Sequence, residues 1–249
     1  MKLSGNTVFI TGGTSGIGRS LAEALHKRGN QVIISGRRKG HLAEVTKANP
    51  GMQSLELNVE DPASIAAAAK KLIAEYPKLN VLINNAGIMQ IDDAAGAIDE
   101  SVLVSTVTTN LLGPIRMTSA LIEHLKKQPA ATIINVSSGL AFVPLASTAV
   151  YSATKAAIHS YTQSMRYRLK GSSVRVLELI PPWVQTDLLN SKDEPRAMPL
   201  AAFIEEAVTV LGTDAEEVLV ERVKMLRNNP GPNEFVFVAQ FNDMIASAH

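Results

Sequence analysis

The chain reads as an α/β fold: a doubly wound parallel sheet of six core strands, helices on both faces, and a helical C-terminus. Three observations predict this. Short, near-continuous apolar runs recur at 7–10, 31–35, 54–57, 81–83, 132–136 and 174–180. Longer amphipathic stretches lie between them, at 16–28, 39–48, 62–76, 100–127 and 151–169. A glycine-rich turn separates the first run from the first helix. Strands without polar alternation are buried on both faces, and strand–helix alternation is how a parallel sheet gets covered on both sides.

The first strand leads into Thr11-Gly12-Gly13-Thr14-Ser15-Gly16-Ile17-Gly18. Glycines permit a tight turn and let backbone N–H groups approach a pyrophosphate, while the helix N-terminus adds donors and a positive dipole end. Gly12, Thr14, Ser15, Gly16, Ile17 and Gly18 are therefore the candidate phosphate cradle. The second strand runs out at Ser35-Gly36-Arg37-Arg38. A site for NAD wants an acid near here to hold the ribose 2′-hydroxyl. Glycine stands at that point instead, and two arginines follow. Guanidinium groups match a 2′-phosphate in charge and geometry, so Arg37 and Arg38 favour NADP over NAD; the bland reading is a solvated pair of loop arginines. After the third strand, Asn58 and Val59 lie where an adenine edge could be held, or are an ordinary strand end.

The helical stretch at 100–127 carries Asn110 with Pro114 four residues on. Proline has no N–H, so the Asn110 carbonyl loses its usual helical partner and is free to bind a water. The alternative is a simple proline kink. The fifth strand ends at Ser138, and the next helical stretch opens on Tyr151-Ser152-Ala153-Thr154-Lys155. Positions four apart share one helix face. An ammonium beside a phenol is expected to lower the phenol's pKa from about 10, and a nearby serine hydroxyl can hold a carbonyl oxygen against it. That is equipment for adding a proton to an alcohol oxygen, or removing one.

The 249 residues are read as one domain, with a substrate flap around 187–210 where prolines 182, 195 and 199 break the pattern. A formal charge of +1 gives no attraction to nucleic acid or to an anionic membrane. There are no cysteines, hence no disulfide framework, and the histidines at 26, 41, 124, 159 and 249 form no metal-binding spacing. No apolar run reaches the roughly 18 residues of a membrane span. The first strand begins so near the start that a signal peptide is not expected. A cytoplasmic location is the expectation that follows. His159 shares a face with Lys155 but is read as a buried or interface histidine, not a catalytic one.

The turn at 11–18, Asn84-Asn85-Ala86-Gly87, Asn110, Ser138, Tyr151-x-x-x-Lys155 and Thr186 after a proline turn occur in one order and spacing. In this the chain resembles a classical short-chain dehydrogenase/reductase, over residues 6 to about 190. Pro181-Pro182-Trp183-Val184-Gln185-Thr186-Asp187-Leu188 and Glu221-Arg222-Val223-Lys224 further resemble the DltE-like oxidoreductase subgroup. The resemblance implies a Rossmann fold and hydride transfer between NADP(H) and a small carbonyl or alcohol substrate. It implies Tyr151 as general acid or base, with Lys155 supporting it and contacting the nicotinamide ribose. Ser138 would orient the substrate oxygen, with Ser137 structural, and Asn110 would hold a relay water. Asn84, Ala86 and Gly87 would shape the cofactor wall, and Val184 and Thr186 would meet the carboxamide. Other family activities, an epimerase or dehydratase, and a dinucleotide sensor on the same fold are the competing readings.

Two departures from the family pattern stand out. Pro182 replaces a usual glycine after the sixth strand, and Trp183 is expected to pack into or lid the site, or else to be a core aromatic. The substrate pocket would gather Leu140, Val143, Pro144, Trp183, Leu188 and Leu189, each of which could equally be core. At the C-terminus, Phe235, Val238, Phe241, Met244 and Ile245 recur at helical spacing, so a helix over 235–248 is expected in place of a seventh strand. Homodimerisation through the helices at 103–127 and 151–169 is then the expected assembly.

Overall fold

Seven parallel strands form one sheet in the order β3-β2-β1-β4-β5-β6-β7. The strands are β1 (Thr7–Ile10), β2 (Gln31–Gly36), β3 (Gln53–Glu56), β4 (Leu79–Asn84), β5 (Ala131–Val136), β6 (Val174–Ile180) and β7 (Glu217–Leu219). The computed structural model describes residues 1–247. The helices are α1 (Gly16–His26), α2 (Lys39–Ala48), α3 (Pro62–Glu75), α4 (Glu100–Val107), α5 (Gly113–Lys126), α6 (Ala149–Arg168), α7 (Leu200–Leu211), α8 (Lys224–Arg227) and α9 (Glu234–Ala246). Among the described residues no helix is long and apolar enough to cross a membrane.

The period-two geometry of a strand sorts the core into two layers. Val8 and Ile10 of β1 join Val32 and Ile34 of β2 on the face covered by α1, α2 and α7. Phe9 and Ile33, one residue out of phase, join Leu82 and Ile133 on the face covered by α3, α5 and the Met165 end of α6. All eight are fully buried. Each such side chain stabilises the fold by roughly 1.5–3 kcal/mol relative to exposure.

The chain winds outward from β1 to β3, then crosses back to lay β4 on the other side of β1. This reversal opens a crevice at the carboxyl ends of β1 and β4, the place where open parallel sheets bind ligands. The turn after β1 and the segment after β4 are its two lips.

Two expectations are corrected. The sheet has seven strands, not six, because the three-residue β7 pairs with Glu178–Ile180 of β6. The seventh strand comes from upstream of the C-terminal segment, which is helical as expected over Glu234–Ala246; Ala248, the end of the expected helix, lies outside the described residues. The stretch 100–127 is two helices, split by a π-helical turn at Thr108–Leu112 in which the Gly113 N–H reaches back five residues to the Thr108 carbonyl. Pro114 stands at the start of α5, where a missing N–H costs no helical bond. Such one-turn π segments mark an inserted residue and are frequent at functional sites.

Candidate active site

The lips of the crevice are stapled together. The Thr11 hydroxyl accepts from the backbone N–H groups of Asn85 (3.0 Å) and Ala86 (3.1 Å). The Asn85 amide returns the bond, donating to the carbonyls of Thr11 (2.9 Å) and Gly12 (3.1 Å). Both residues lie in motifs the sequence displays, yet neither was assigned a task. Their role depends on the β1–β4 adjacency, which local spacing does not reveal.

The turn leaves no room for side chains. A Cβ on Gly18 would fall 2.3 Å from both the Asn85 amide nitrogen and the Gly12 carbonyl oxygen, and one on Gly12, at φ +68°, would lie 2.8 Å from Ala86 Cα. Helix α1 begins behind an extended Ser15 whose side chain makes no capping bond. Helices α3 and α4 are capped by Asp61 and Asp99. The first-turn donors of α1 thus meet the crevice without a side-chain cap, as an anion-binding terminus requires. Thr186 closes this end, its methyl 3.4 Å from where a Gly16 Cβ would stand. Thr14 lies beside Gly36, the glycine that ends β2.

Beyond Gly36, Arg37 and Arg38 are both exposed. Arg37 Nη1 pairs with Glu60 Oε1 at 3.1 Å. Asn58 uses its side-chain oxygen to accept from the Glu60 N–H (3.2 Å), while the Val59 carbonyl packs toward Gly113. Asn84 is turned inward: its amide donates to Thr118 Oγ1 (3.0 Å) and Asn135 Oδ1 (2.9 Å), so its side chain does not line the groove.

Further along the crevice the chemistry-bearing residues converge. Lys155 Nζ donates to the Val136 carbonyl at 2.9 Å and sits 5.4 Å from the centroid of the Tyr151 ring. The Ser138 hydroxyl hydrogen-bonds the phenol, and accepts from the Leu140 N–H at 3.1 Å, which fixes the turn after β5. A Cβ on Gly87 would lie 3.4 Å from Asn110 Oδ1 and 3.7 Å from Lys155 Nζ. The Asn110 side chain clamps the backbone of Ile88, accepting from its N–H (2.9 Å) and donating to its carbonyl (2.8 Å). It also reaches Thr154 Oγ1 at 3.3 Å, tying the lip after β4 to helix α6. The N-terminus of α6 is held by Asp92, whose carboxylate accepts from Ala149 and Val150, each at 2.9 Å. Asp92 stands in a polar loop with no motif around it, so nothing in the local sequence points to this role.

The electrostatics reverse one expectation. Burial pushes the Tyr151 phenol up to about 12, opposed only by the Ser138 bond. Burial draws the Lys155 ammonium down to about 8, opposed by the Glu178 carboxylate. Lys155 does not pull the phenol down in this state. Its ammonium faces the ring and a carbonyl, and burial dominates both groups. At neutral pH the phenol is therefore a protonated donor.

The substrate side is only partly as expected. Val143 is fully buried core, whereas Pro144 is exposed and Leu140 half-buried. Trp183 is 38 % exposed, so it is not a core aromatic. Its indole N–H donates to Ser191 Oγ at 2.7 Å, and Arg196 stacks 5.0 Å from its ring, so it braces the flap from outside. Val184 is buried and bridges Met198, which closes the flap into a loop. Within that loop Leu189 and Asn190 both take φ of 51°.

Residues 6–197 match the model of the short chain dehydrogenase family. The chain is 40% identical over 234 residues to the uncharacterized oxidoreductase DltE of Bacillus subtilis (strain 168), covering 92% of this chain and 93% of that one. It is 32% identical over 203 residues to the 3-oxoacyl-[acyl-carrier-protein] reductase FabG of Vibrio harveyi, covering 81% and 83%. Among solved structures, a short chain dehydrogenase from Burkholderia cenocepacia J2315 in complex with NADP superposes with a TM-score of 0.85 at 27% identity, over 96% of this chain and 98% of that one.

Proposed function

Since this chain belongs to the short-chain dehydrogenase family, we propose that it is an NADP-dependent oxidoreductase that interconverts a carbonyl and an alcohol, with Tyr151 as the acid or base. The observation that carries this reading is the meeting of Ser138, Tyr151, Lys155, Asn110 and Gly87 at the end of the same crevice whose other end is the Gly12–Gly18 turn. The glycine cradle and the uncapped α1 terminus fit a dinucleotide pyrophosphate. Gly12, Thr14, Ser15, Gly16, Ile17 and Gly18 would hold it, with Ala86, Gly87, Val184 and Thr186 along the wall. Arg37 and Arg38 would take a 2′-phosphate. The NADP complex of the Burkholderia relative, and a serine dehydrogenase complexed with NADP+ at 26% identity and a TM-score of 0.78, are consistent with that preference.

When bound, a nicotinamide supplies or accepts the hydride. The residues of this chain manage the oxygen and its proton. The Ser138 hydroxyl and the Tyr151 phenol hold the carbonyl oxygen from two sides. As the carbonyl π bond breaks, the phenol O–H passes its proton to that oxygen and becomes a phenolate. Lys155, ammonium at neutral pH, stabilises the phenolate and returns a proton toward it. In the oxidative direction the phenolate takes the alcohol proton.

The test is turnover of a carbonyl panel, followed through dihydronicotinamide absorbance. Tyr151→Phe removes only the hydroxyl and is expected to lower kcat by about 100-fold or more while dinucleotide affinity stays within a few-fold. Tight dinucleotide binding with no turnover of any carbonyl or alcohol by the unaltered protein would defeat the catalytic reading in favour of a sensor.

A further inference from the structure

Behind the candidate active site lies a second cluster of charges. Glu178 of β6 is completely buried. One carboxylate oxygen accepts from Ser137 Oγ at 2.5 Å and the other pairs with His159 Nδ1 at 2.8 Å. The far nitrogen of His159 faces the Gln163 amide nitrogen at 2.6 Å. An amide N–H donating there makes Nε2 an acceptor, which places the histidine proton on Nδ1, aimed at Glu178. Glu217 of β7 lies beside them, and its carboxylate is gripped by Arg227 of α8 through bonds of 2.8 and 3.0 Å. The Arg227 guanidinium stacks 4.7 Å from the Phe142 ring, and Phe142 meets His159 edge-on with centroids 4.7 Å apart.

His159, Glu178 and Glu217 bring ligand atoms within 4.8 Å of one another. Their oxygens and nitrogen are already engaged by Ser137, Arg227 and Gln163, so the trio reads as a charge network rather than a metal centre. A buried carboxylate is costly and persists where its bonds and charge partners compensate it. Two of those partners lead into the catalytic site. Ser137 precedes Ser138, and the Lys155 ammonium, bonded to the Val136 carbonyl next door, lies in the field of Glu178. Gly139 completes the connection: a Cβ there would strike Leu226 Cδ1 at 2.6 Å and Val223 Cγ2 at 2.9 Å, so glycine lets α8 close over the turn that bears Ser138.

We propose that Glu178 is a positioning residue for the Tyr151–Lys155 pair: a buried anion, held between Ser137 and His159, that anchors the strand end carrying Ser138 and serves as the counter-charge of the Lys155 ammonium. The charged and titratable groups facing it are Lys155 and His159 from α6, Glu217 from β7 and Arg227 from α8. The idea deepens the proposed catalytic reading by naming what keeps the lysine charged. Glu217 is gripped by Arg227, while it is the Glu178 carboxylate whose charge acts on the Lys155 ammonium.

The decisive measurement is the titration of Lys155 itself, followed by NMR of side-chain-labelled lysine in the protein and in Glu178→Gln. The glutamine keeps the shape and loses the charge. Removing the buried charge whose field favours the ammonium moves the lysine midpoint down, by on the order of one unit. Ser137→Ala and His159→Gln keep the carboxylate and should leave the midpoint within about 0.3 units. Where Glu178→Gln does not fold, Glu178→Asp, with its charge drawn back by one methylene, gives a smaller fall in the same direction. In the activity assay, the alkaline limb of the kcat profile should move acidward in Glu178→Gln, so that the loss grows with pH toward about tenfold on that limb. An unchanged Lys155 midpoint in Glu178→Gln overturns the proposal, as does a kcat loss equal at every pH. A shifted midpoint in a protein that turns over no carbonyl leaves this electrostatic role standing and removes the catalytic reading alone.

Discussion

The Arg37–Glu60 pair makes nucleotide preference testable from two directions. Arg37 Nη1 lies 3.1 Å from Glu60 Oε1, with the two side chains 63% and 29% exposed. A pair so open to solvent is worth about 0.2–1 kcal/mol. A guanidinium–phosphate contact is worth about 1.5–3 kcal/mol. A 2′-phosphate on Arg37 would therefore displace Glu60 with a net gain of about 1–2 kcal/mol, or roughly 5- to 30-fold in Kd. Arg37→Ala should weaken NADPH by that factor and leave NADH within about twofold. Glu60→Gln should act oppositely, tightening NADPH by up to about fivefold because the arginine no longer has a carboxylate to leave. Arg38, exposed and without an ion pair among the described residues, would supply the rest of the proposed preference, so the double arginine variant should lose most of it. Titration of dihydronicotinamide fluorescence at two ionic strengths measures all four proteins, and the NADPH advantage should shrink with salt. An unchanged NADPH-to-NADH ratio in Arg37→Ala would refute the assignment, and so would weaker NADPH binding in Glu60→Gln.

Two further outcomes follow from the same site. In Gly18→Ala the new methyl has to displace the Asn85 amide, 2.3 Å away, from its bonds to the Thr11 and Gly12 carbonyls; the expected loss is about 2–4 kcal/mol of stability with dinucleotide binding impaired, read by denaturant midpoint and titration. Stability should also depend on alkaline pH through Tyr151 and Lys155. Lys155 is lowered to about 8, so between there and its ordinary value of 10.5 the unfolded chain binds the extra proton and stability rises with pH; Tyr151, raised to about 12 from 10.0, reverses this as pH climbs from 10 to 12. Denaturation midpoints should accordingly rise and then fall across that range, and Lys155→Met should remove the rise while Tyr151→Phe removes its share of the fall.

What local spacing encodes was legible in the sequence. Tyr151 and Lys155 share a helix face because they are four apart, and the glycines of the first turn are dictated by backbone contacts that any side chain would violate. The exposure of Arg37 and Arg38 follows from where β2 ends. What depends on the meeting of distant segments was not legible. β7 is three residues long with Val218 alone fully buried, too short to show a period. The π turn was visible only as Pro114; the inserted residue is a matter of register that proline does not specify. The direction of the Tyr151 shift was misjudged for a related reason: spacing predicts a neighbouring charge, while burial is decided by everything packed around it.

The Glu178 cluster shows where that limit falls hardest. Its members come from the turn after β5, from β6, β7, α6 and α8, and no two of its titratable residues share a local motif. A lone glutamate inside the apolar run Val174–Ile180 was nonetheless a signal available from the sequence. A charge at a position buried on both sides of a parallel sheet has to be compensated by bonds and partners that other segments bring to it. Its place on β6, one strand from Ser138 and level with Asn135 of β5, puts that compensation directly behind the residues proposed to handle the proton. The same reasoning explains why His159 is bonded rather than free: on the Lys155 face of α6, it is what stands between a buried carboxylate and the solvent edge of the helix.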